Sequence, residues 1–146
     1  MVEKDAVIER QHYKGLAWVA SMALFMQSLD ATILNTALPT IATDLQTPVF
    51  EMQMAIIAYS LAVALFIPLT AWAAAKFGTL TVFRSAVFTF VFGSVACAMA
   101  TSLETLVIAR IIQGIGGAFM MPVARLAIIQ TVPKNQLINA WNLMAT

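Results

Sequence analysis

The sequence predicts an all-α polytopic membrane protein with four transmembrane helices. Of its 146 residues, 61% are hydrophobic and only 10% are charged, whereas a typical globular domain carries about 25% charged residues. The charged residues leave two uncharged runs, 52–75 and 85–103, of 24 and 19 residues. A helix needs roughly 20 residues to cross a bilayer, so each run is long enough to span it. The lipid bilayer is therefore an expected partner. The net charge of +1 gives no reason to expect a nucleic-acid partner.

Two further spans complete the prediction, which places the four spans at about 15–38, 52–75, 85–101 and 105–124. The first is apolar except for Asp30 near its middle, and the fourth is apolar except for Arg110. If the fourth span is taken to begin after Arg110, its uncharged run has only 14 residues and is too short to cross a bilayer. Pro39 and Pro48 bracket the first loop, which predicts that the first helix ends near Pro39.

The distribution of basic residues predicts the orientation. Seven of them fall in the tail 1–14, between the second and third spans, or after the fourth span: Lys4, Arg10, Lys14, Lys76, Arg84, Arg125 and Lys134. The other two loops contain Asp44, Glu51 and Glu104 and no basic residue. Because basic loops stay in the cytoplasm, we expect a cytoplasmic N-terminus and a multi-pass protein of the cell (inner) membrane.

The end of the sequence suggests a longer protein. Residues 131–146 are expected to form a cytoplasmic link followed by the start of a truncated fifth helix, since 140–146 turns apolar again after Pro133 and Lys134. Four helices and a beginning of the next would be only part of a larger bundle.

Asp30 and Arg110 are the first candidates for function, because an ionisable residue inside a span is costly to place there. At 1.5 Å rise per residue, Asp30 lies about 4–5 Å and Arg110 about 7–8 Å outside the midplane. These depths allow the two side chains to pair if their helices are neighbours. The pair could simply neutralise itself and hold the bundle together. An internal ion pair is a weak source of stability, so a functional role is favoured.

Helical projection adds further candidates for the lining of a cavity. Gln113 and Gly117 share the Arg110 face of the fourth helix, while Gln27, Thr32 and Asn35 lie on polar faces of the first. Close helix packing is an equally good explanation for the glycines of the fourth helix. Ile115 and Phe119 lie on its opposite face, which suits a packed neighbour or lipid. The third span, with Phe88, Phe90 and Phe92, is predicted to be peripheral and to face lipid.

No enzyme is expected from these residues. The only histidine, His12, lies in the tail, and no nucleophile–base constellation or carboxylate pair is visible. The single cysteine, Cys97, excludes a disulfide framework and a cysteine metal site. The prediction therefore includes no catalytic residue, no metal site and no cofactor.

Two segments resemble a known family. Residues 29–41, LDATILNTALPTI, resemble the first-helix motif of the fourteen-span drug–proton antiporters of the major facilitator superfamily, and residues 106–118, LVIARIIQGIGGA, resemble their fourth-helix motif. The resemblance implies that Arg110 takes part in proton coupling, with Asp30 as the acid of the first helix and protons as the coupling ion. It also implies a central cavity lined by the first and fourth helices, a small hydrophobic substrate, and the missing helices of the same transporter as partners.

The loop between the second and third helices departs from that family. Lys76 and Gly78 keep its pattern, but Ala75 stands where the family has an aspartate and Leu80 where it has a base. This loop is implied to control the change between inward- and outward-facing states. The resemblance therefore predicts a partial or truncated multidrug efflux antiporter with an altered conformational loop, inactive alone.

Two other functions remain open. A self-sufficient four-span dimer of the small multidrug exporter kind would need little charge bias, and the strong bias argues against it. A small four-span membrane protein could instead self-assemble, or regulate a larger membrane partner, through the glycine-rich face of its fourth helix.

Overall fold

The computed structural model describes residues 2–131, with side chains described for 18–130. Five α-helices and one 3₁₀ turn follow one another in this part of the chain: α1 (Val2–Asp44), α2 (Val49–Phe66), the 3₁₀ turn (Ile67–Leu69), α3 (Thr70–Phe77), α4 (Thr79–Ala98) and α5 (Leu103–Thr131). No strand occurs between residues 2 and 131. The predicted all-α membrane bundle is confirmed. Of the predicted link and fifth helix at 131–146, residue 131 belongs to α5 and the remainder lies outside the described residues.

Three stretches of the described chain are long and apolar enough to cross a membrane: Val49–Phe77, Thr79–Ala98 and Leu103–Gln130. They correspond to the second, third and fourth predicted spans. Helix α1 is long enough, but Gln27, Asp30 and Asn35 lower its mean hydropathy. A crossing by α1 therefore stays a prediction.

Helix α1 is longer than predicted at both ends. It begins at Val2, inside the predicted tail, and continues through Pro39 to Asp44. The prediction that the first helix ends near Pro39 is wrong. Proline removes one backbone N–H and so leaves one carbonyl of the preceding turn without its helical partner, but the helix continues on both sides of Pro39.

The other three predicted spans are also extended or interrupted relative to prediction. The 3₁₀ turn falls at Pro68, where the missing N–H interrupts the α-helical ladder between α2 and α3. Gly78, with φ of +84°, separates α3 from α4, a backbone conformation that glycine adopts without strain. Helix α4 begins at Thr79 rather than at 85, and α5 continues past Pro122 to Thr131.

Among the residues whose side chains are described, two apolar clusters form the core, one at each end of the bundle. One end also carries the basic residues Lys76, Arg84 and Arg125, and its cluster contains Ala20, Ala23, Val82, Phe83, Phe90, Met120, Val123 and Ile128. The acidic residues Asp44, Glu51 and Glu104 lie at the other end, whose cluster contains Leu34, Leu38, Ala42, Met52, Ala55 and Leu106. Helix α5 contacts every other helix. The polar residues of α1 and α5 lie between the two clusters.

The α4–α5 interface is tight because glycines lie at the closest approach. A Cβ added at Gly116 would lie 2.5 Å from the backbone nitrogen of Phe90, and one at Gly93 would lie 2.7 Å from the Gln113 backbone. The Phe90 side chain is accordingly 1% exposed, whereas Phe88 and Phe92 face outward. The prediction that the third span faces lipid is therefore wrong for Phe90, because this side of α4 packs against the glycines of α5.

Candidate functional site

An ion pair between α1 and α5 lies at the centre of the candidate site. Arg110 Nη1 is 2.7 Å from Asp30 Oδ2, and the two side chains are 3% and 18% exposed. The contact predicted from the depths of the two residues is present. Each charge provides the partner that a buried ionisable group needs. Their contact places one positive and one negative group between the two apolar clusters.

Gln113 closes this pair into a triangle. Its amide nitrogen donates to Asp30 Oδ1 at 2.7 Å, and its amide oxygen accepts from Arg110 Nη1 at 2.7 Å. Gln113 follows Arg110 at the i, i+3 spacing, so the two lie on one face of α5. Gln113 is fully buried, and Cys97 Sγ lies 3.6 Å from its amide oxygen. Both oxygens of the Asp30 carboxylate therefore accept a hydrogen bond from α5.

Tyr59 of α2 packs against the other side of Arg110. The guanidinium carbon lies 4.5 Å from the centroid of the Tyr59 ring, within the range of a cation–π contact. Sequence reasoning missed Tyr59. The available signal was a hydroxylated aromatic ring well inside an uncharged span, away from the interfacial positions where tyrosine is usually found.

Gln27 lies one turn before Asp30 on α1 and contacts Tyr59 and the backbone of α5. Its amide nitrogen lies 3.4 Å from the Tyr59 hydroxyl and 3.5 Å from the Gly117 carbonyl oxygen. A Cβ at Gly117 would lie 2.9 Å from that hydroxyl, so the glycine gives both side chains access to the α5 backbone. Within the described part of the chain, Gln27 Oε1 and Arg110 Nε are buried with no hydrogen-bond partner. The site thus keeps one acceptor and one donor unused.

Thr32 and Asn35 lie outside this group. Both are exposed on α1, and their side chains donate to their own helix, Thr32 Oγ1 to the Ser28 carbonyl at 3.0 Å and Asn35 Nδ2 to the Ala31 carbonyl at 2.9 Å. The structure does not bring them to the ion pair. Their role in lining a cavity stays a prediction.

Lys76 and Gly78 form a separate region at the basic end of the bundle. Lys76 Nζ lies 4.8 Å from the Trp72 ring centroid and 5.4 Å from that of Phe77. Directly after Gly78, Thr79 Oγ1 donates to Gln130 Oε1 at 2.7 Å, which joins the start of α4 to the last turn of α5. A role of this loop in conformational control stays a prediction.

The chemistry of the group follows from its electrostatics. The Asp30 carboxylate has a positive neighbour in Arg110 and accepts one hydrogen bond at each oxygen, from Arg110 and from Gln113. Any movement that separates α1 from α5 would remove these partners, and an unpaired charge in a low-dielectric interior is costly.

Comparison with known proteins gives consistent matches. The family model of the Major Facilitator Superfamily matches residues 20–146. The chain is 83% identical over 138 residues to "Probable transport protein HsrA" of Haemophilus influenzae, covering 94% of this chain and 30% of that protein. It is 44% identical over 123 residues to "Putative multidrug resistance protein MdtD" of Yersinia pestis and of Yersinia pseudotuberculosis, covering 84% of this chain and 26% of each. The chain spans less than a third of the length of these relatives. No solved structure matches it significantly.

Proposed function

Because the chain belongs to the major facilitator superfamily, we propose that its helices form part of a proton-coupled exporter of small hydrophobic compounds. The observation that carries this proposal is the buried triangle of Asp30, Arg110 and Gln113. The names of the relatives, a transport protein and a multidrug resistance protein, support the substrate class.

In the proposed mechanism, Asp30 carries the proton. Arg110 and Gln113 hold the carboxylate ionised while α1 and α5 are in contact. A substrate or a conformational change that draws Arg110 away leaves the carboxylate in low dielectric, where it takes up a proton. The return of Arg110 expels this proton. The partial exposure of Asp30, against the full burial of Gln113, supports an access route to the carboxyl group.

Transport by this mechanism needs more than the described helices. Transporters of this kind bind substrate near the midplane, between two helical bundles that rock against each other. We propose that α1 and α5 supply one wall of the cavity, with Thr32 and Asn35 facing the substrate, and that further helices supply the rest. Under this proposal the 146-residue chain does not transport by itself.

The alternative of a small self-assembling or regulatory membrane protein has less support. It requires a free glycine-rich face on α5. A Cβ at Gly114 would lie 2.8 Å from the Tyr59 carbonyl oxygen, and one at Gly116 would meet the α4 backbone. Both glycines are thus already packed against other helices of the same chain, Gly114 against α2 and Gly116 against α4. This packing favours the transporter proposal over partner binding through that face.

The proposed location is the cell inner membrane, with the basic end of the bundle in the cytoplasm. Lys76, Arg84 and Arg125 lie at that end, and the acidic residues of the two opposite links lie at the other. In a Cys97→Ser background, an impermeant thiol reagent should label Thr47→Cys from outside and miss Thr79→Cys. Labelling of Thr79→Cys from outside would reverse the topology.

The proposed function is tested in a chimera in which this chain replaces the matching segment of the Haemophilus influenzae relative. In proteoliposomes with an imposed proton gradient, Asp30→Asn should reduce drug exchange to the level of empty vesicles. Arg110→Lys should be much milder than Arg110→Ala, since it keeps the charge. Asp44→Asn, which removes an exposed carboxylate from the end of the same helix, is the matched control and should leave exchange unchanged. Proton-driven exchange by Asp30→Asn at the parent rate would exclude the mechanism.

A further inference from the structure

A groove separate from the Asp30 group runs along the outside of the bundle at its basic end. It has a volume of about 380 Å³ and lies between α3, α4 and α5. Its lining includes Phe77, Thr81, Ser85, Thr89, Ile115 and Phe119. From Thr81 to Thr89 the groove follows eight residues of α4, about 12 Å at 1.5 Å per residue. That length covers most of one leaflet, half of a hydrocarbon core about 30 Å thick.

The wall of this groove suits an apolar occupant despite its hydroxyl residues. Ser85 Oγ donates to the Val82 carbonyl oxygen at 2.9 Å, and Thr89 Oγ1 donates to the Ser85 carbonyl oxygen at 2.8 Å. The hydroxyl hydrogens of Ser85 and Thr89 are thus used within α4. Together with the rings of Phe77 and Phe119, the groove presents mainly carbon atoms, which gives a hydrocarbon chain contacts and gives a polar solute few partners.

The end of the groove near Phe77 is basic. Lys76 Nζ lies 5.4 Å from the centroid of the Phe77 ring, which is itself part of the wall. Arg84 is exposed, directly before Ser85 and one turn after Thr81. Among residues 18–130 the acidic side chains lie elsewhere: Asp30 is paired with Arg110, and Asp44, Glu51 and Glu104 are at the other end. The groove therefore combines an apolar channel with a positive rim.

We propose that this groove binds an anionic phospholipid, with one acyl chain between α4 and α5 and the phosphate held by Lys76 and Arg84. Basic pockets between transmembrane helices are suited to acidic lipid headgroups. The depth of the channel matches one leaflet, and its rim has the charge complementary to the phosphate. This inference is independent of the transport proposal, since neither Asp30 nor Arg110 contributes to it.

The test is native mass spectrometry of the purified 146-residue chain released from micelles that contain phosphatidylglycerol or phosphatidylcholine with identical acyl chains. The chain should retain one phosphatidylglycerol in preference to phosphatidylcholine. Each basic residue near a headgroup contributes a factor of about five in affinity. Arg84→Gln should therefore lower phosphatidylglycerol retention about fivefold, whereas Arg84→Lys should keep it.

A second pair of variants tests the channel itself. Ser85→Phe places a ring in the groove and should lower retention of the lipid with its charges intact. Val95→Phe adds the same ring at an exposed position of α4 outside the groove and should retain lipid as the parent does. If Ser85→Phe fails to fold, the comparison of Arg84→Gln with Arg84→Lys still decides the proposal.

Three results would overturn it. The first is equal retention of the two lipids by the parent chain. The second is unchanged phosphatidylglycerol retention in Arg84→Gln. The third is a dimer that forms without lipid and is lost in Ser85→Phe, since the groove would then hold a helix of a second copy.

Discussion

Helix α5 meets α4 and α1 through two different kinds of contact. Against α4 it is held by shape, because Gly93 and Gly116 leave no room for a single methyl group. Against α1 it is held by the Arg110–Asp30 ion pair, by the hydrogen bond from Gln113 to Asp30 and by the longer contact of Gln27 with the Gly117 carbonyl oxygen. A close-packed interface has no second arrangement nearby, whereas side chains that bridge a wider gap can separate and pair again. We infer that α4 and α5 move as one body and that the α1–α5 contact is the one that changes.

The largest effect is expected where the close-packed interface is filled. Gly116→Val should destabilise the chain by about 3 kcal/mol, since overpacking against a backbone that cannot shift is costly. The free energy of unfolding in mixed micelles measures this. Ala98→Val, at an exposed position near the end of α4, should change it by less than about 0.5 kcal/mol. Equal stability of the two variants would mean that α4 and α5 are not closely packed.

A smaller effect is expected when the polar contact loses its bridging amide. Gln113→Leu leaves Asp30 Oδ1 and an Arg110 N–H without a partner, which should cost about 2 kcal/mol. Gln53→Leu is the matched control, because it makes the same change at an exposed site on α2. If only the Gln53 variant loses stability, Gln113 does not stabilise the contact between α1 and α5.

The smallest effect is expected at the aromatic ring beside Arg110. Tyr59→Leu removes the cation–π contact and should cost about 1 kcal/mol. Tyr59→Phe keeps the ring and loses only the long contact with Gln27, so it should cost less. Thr32→Val, on the exposed face of α1, should stay within about 0.5 kcal/mol of the parent. Unfolding in the same micelles compares all three, and an equal loss in the Phe and Leu variants would assign the effect to the hydroxyl group.

The sequence predicted the polar contact better than the packed one. The pairing of Asp30 with Arg110 follows from the constant rise of a helix, which converts sequence position into depth in the membrane. Depth carries no information on rotation about the helix axis, which is set by the neighbouring helices. For that reason neither Tyr59 beside Arg110 nor Phe90 against Gly116 was predicted. The helix boundary at Pro39 was wrong for a local reason, since proline removes only one backbone donor and the helix continues on both sides of it to Asp44.

The central claim is that Arg110 controls whether Asp30 carries a proton, and infrared spectroscopy of the chain in lipid at neutral pH tests it most directly. The absorption of a protonated carboxyl group, assigned by its loss in an Asp30→Asn partner variant, should be absent from the parent chain and from Arg110→Lys. It should be present in Arg110→Ala, where the carboxyl group has lost its positive neighbour. If Asp30 has the same protonation state with and without Arg110, the arginine does not control the proton and the proposed coupling is contradicted.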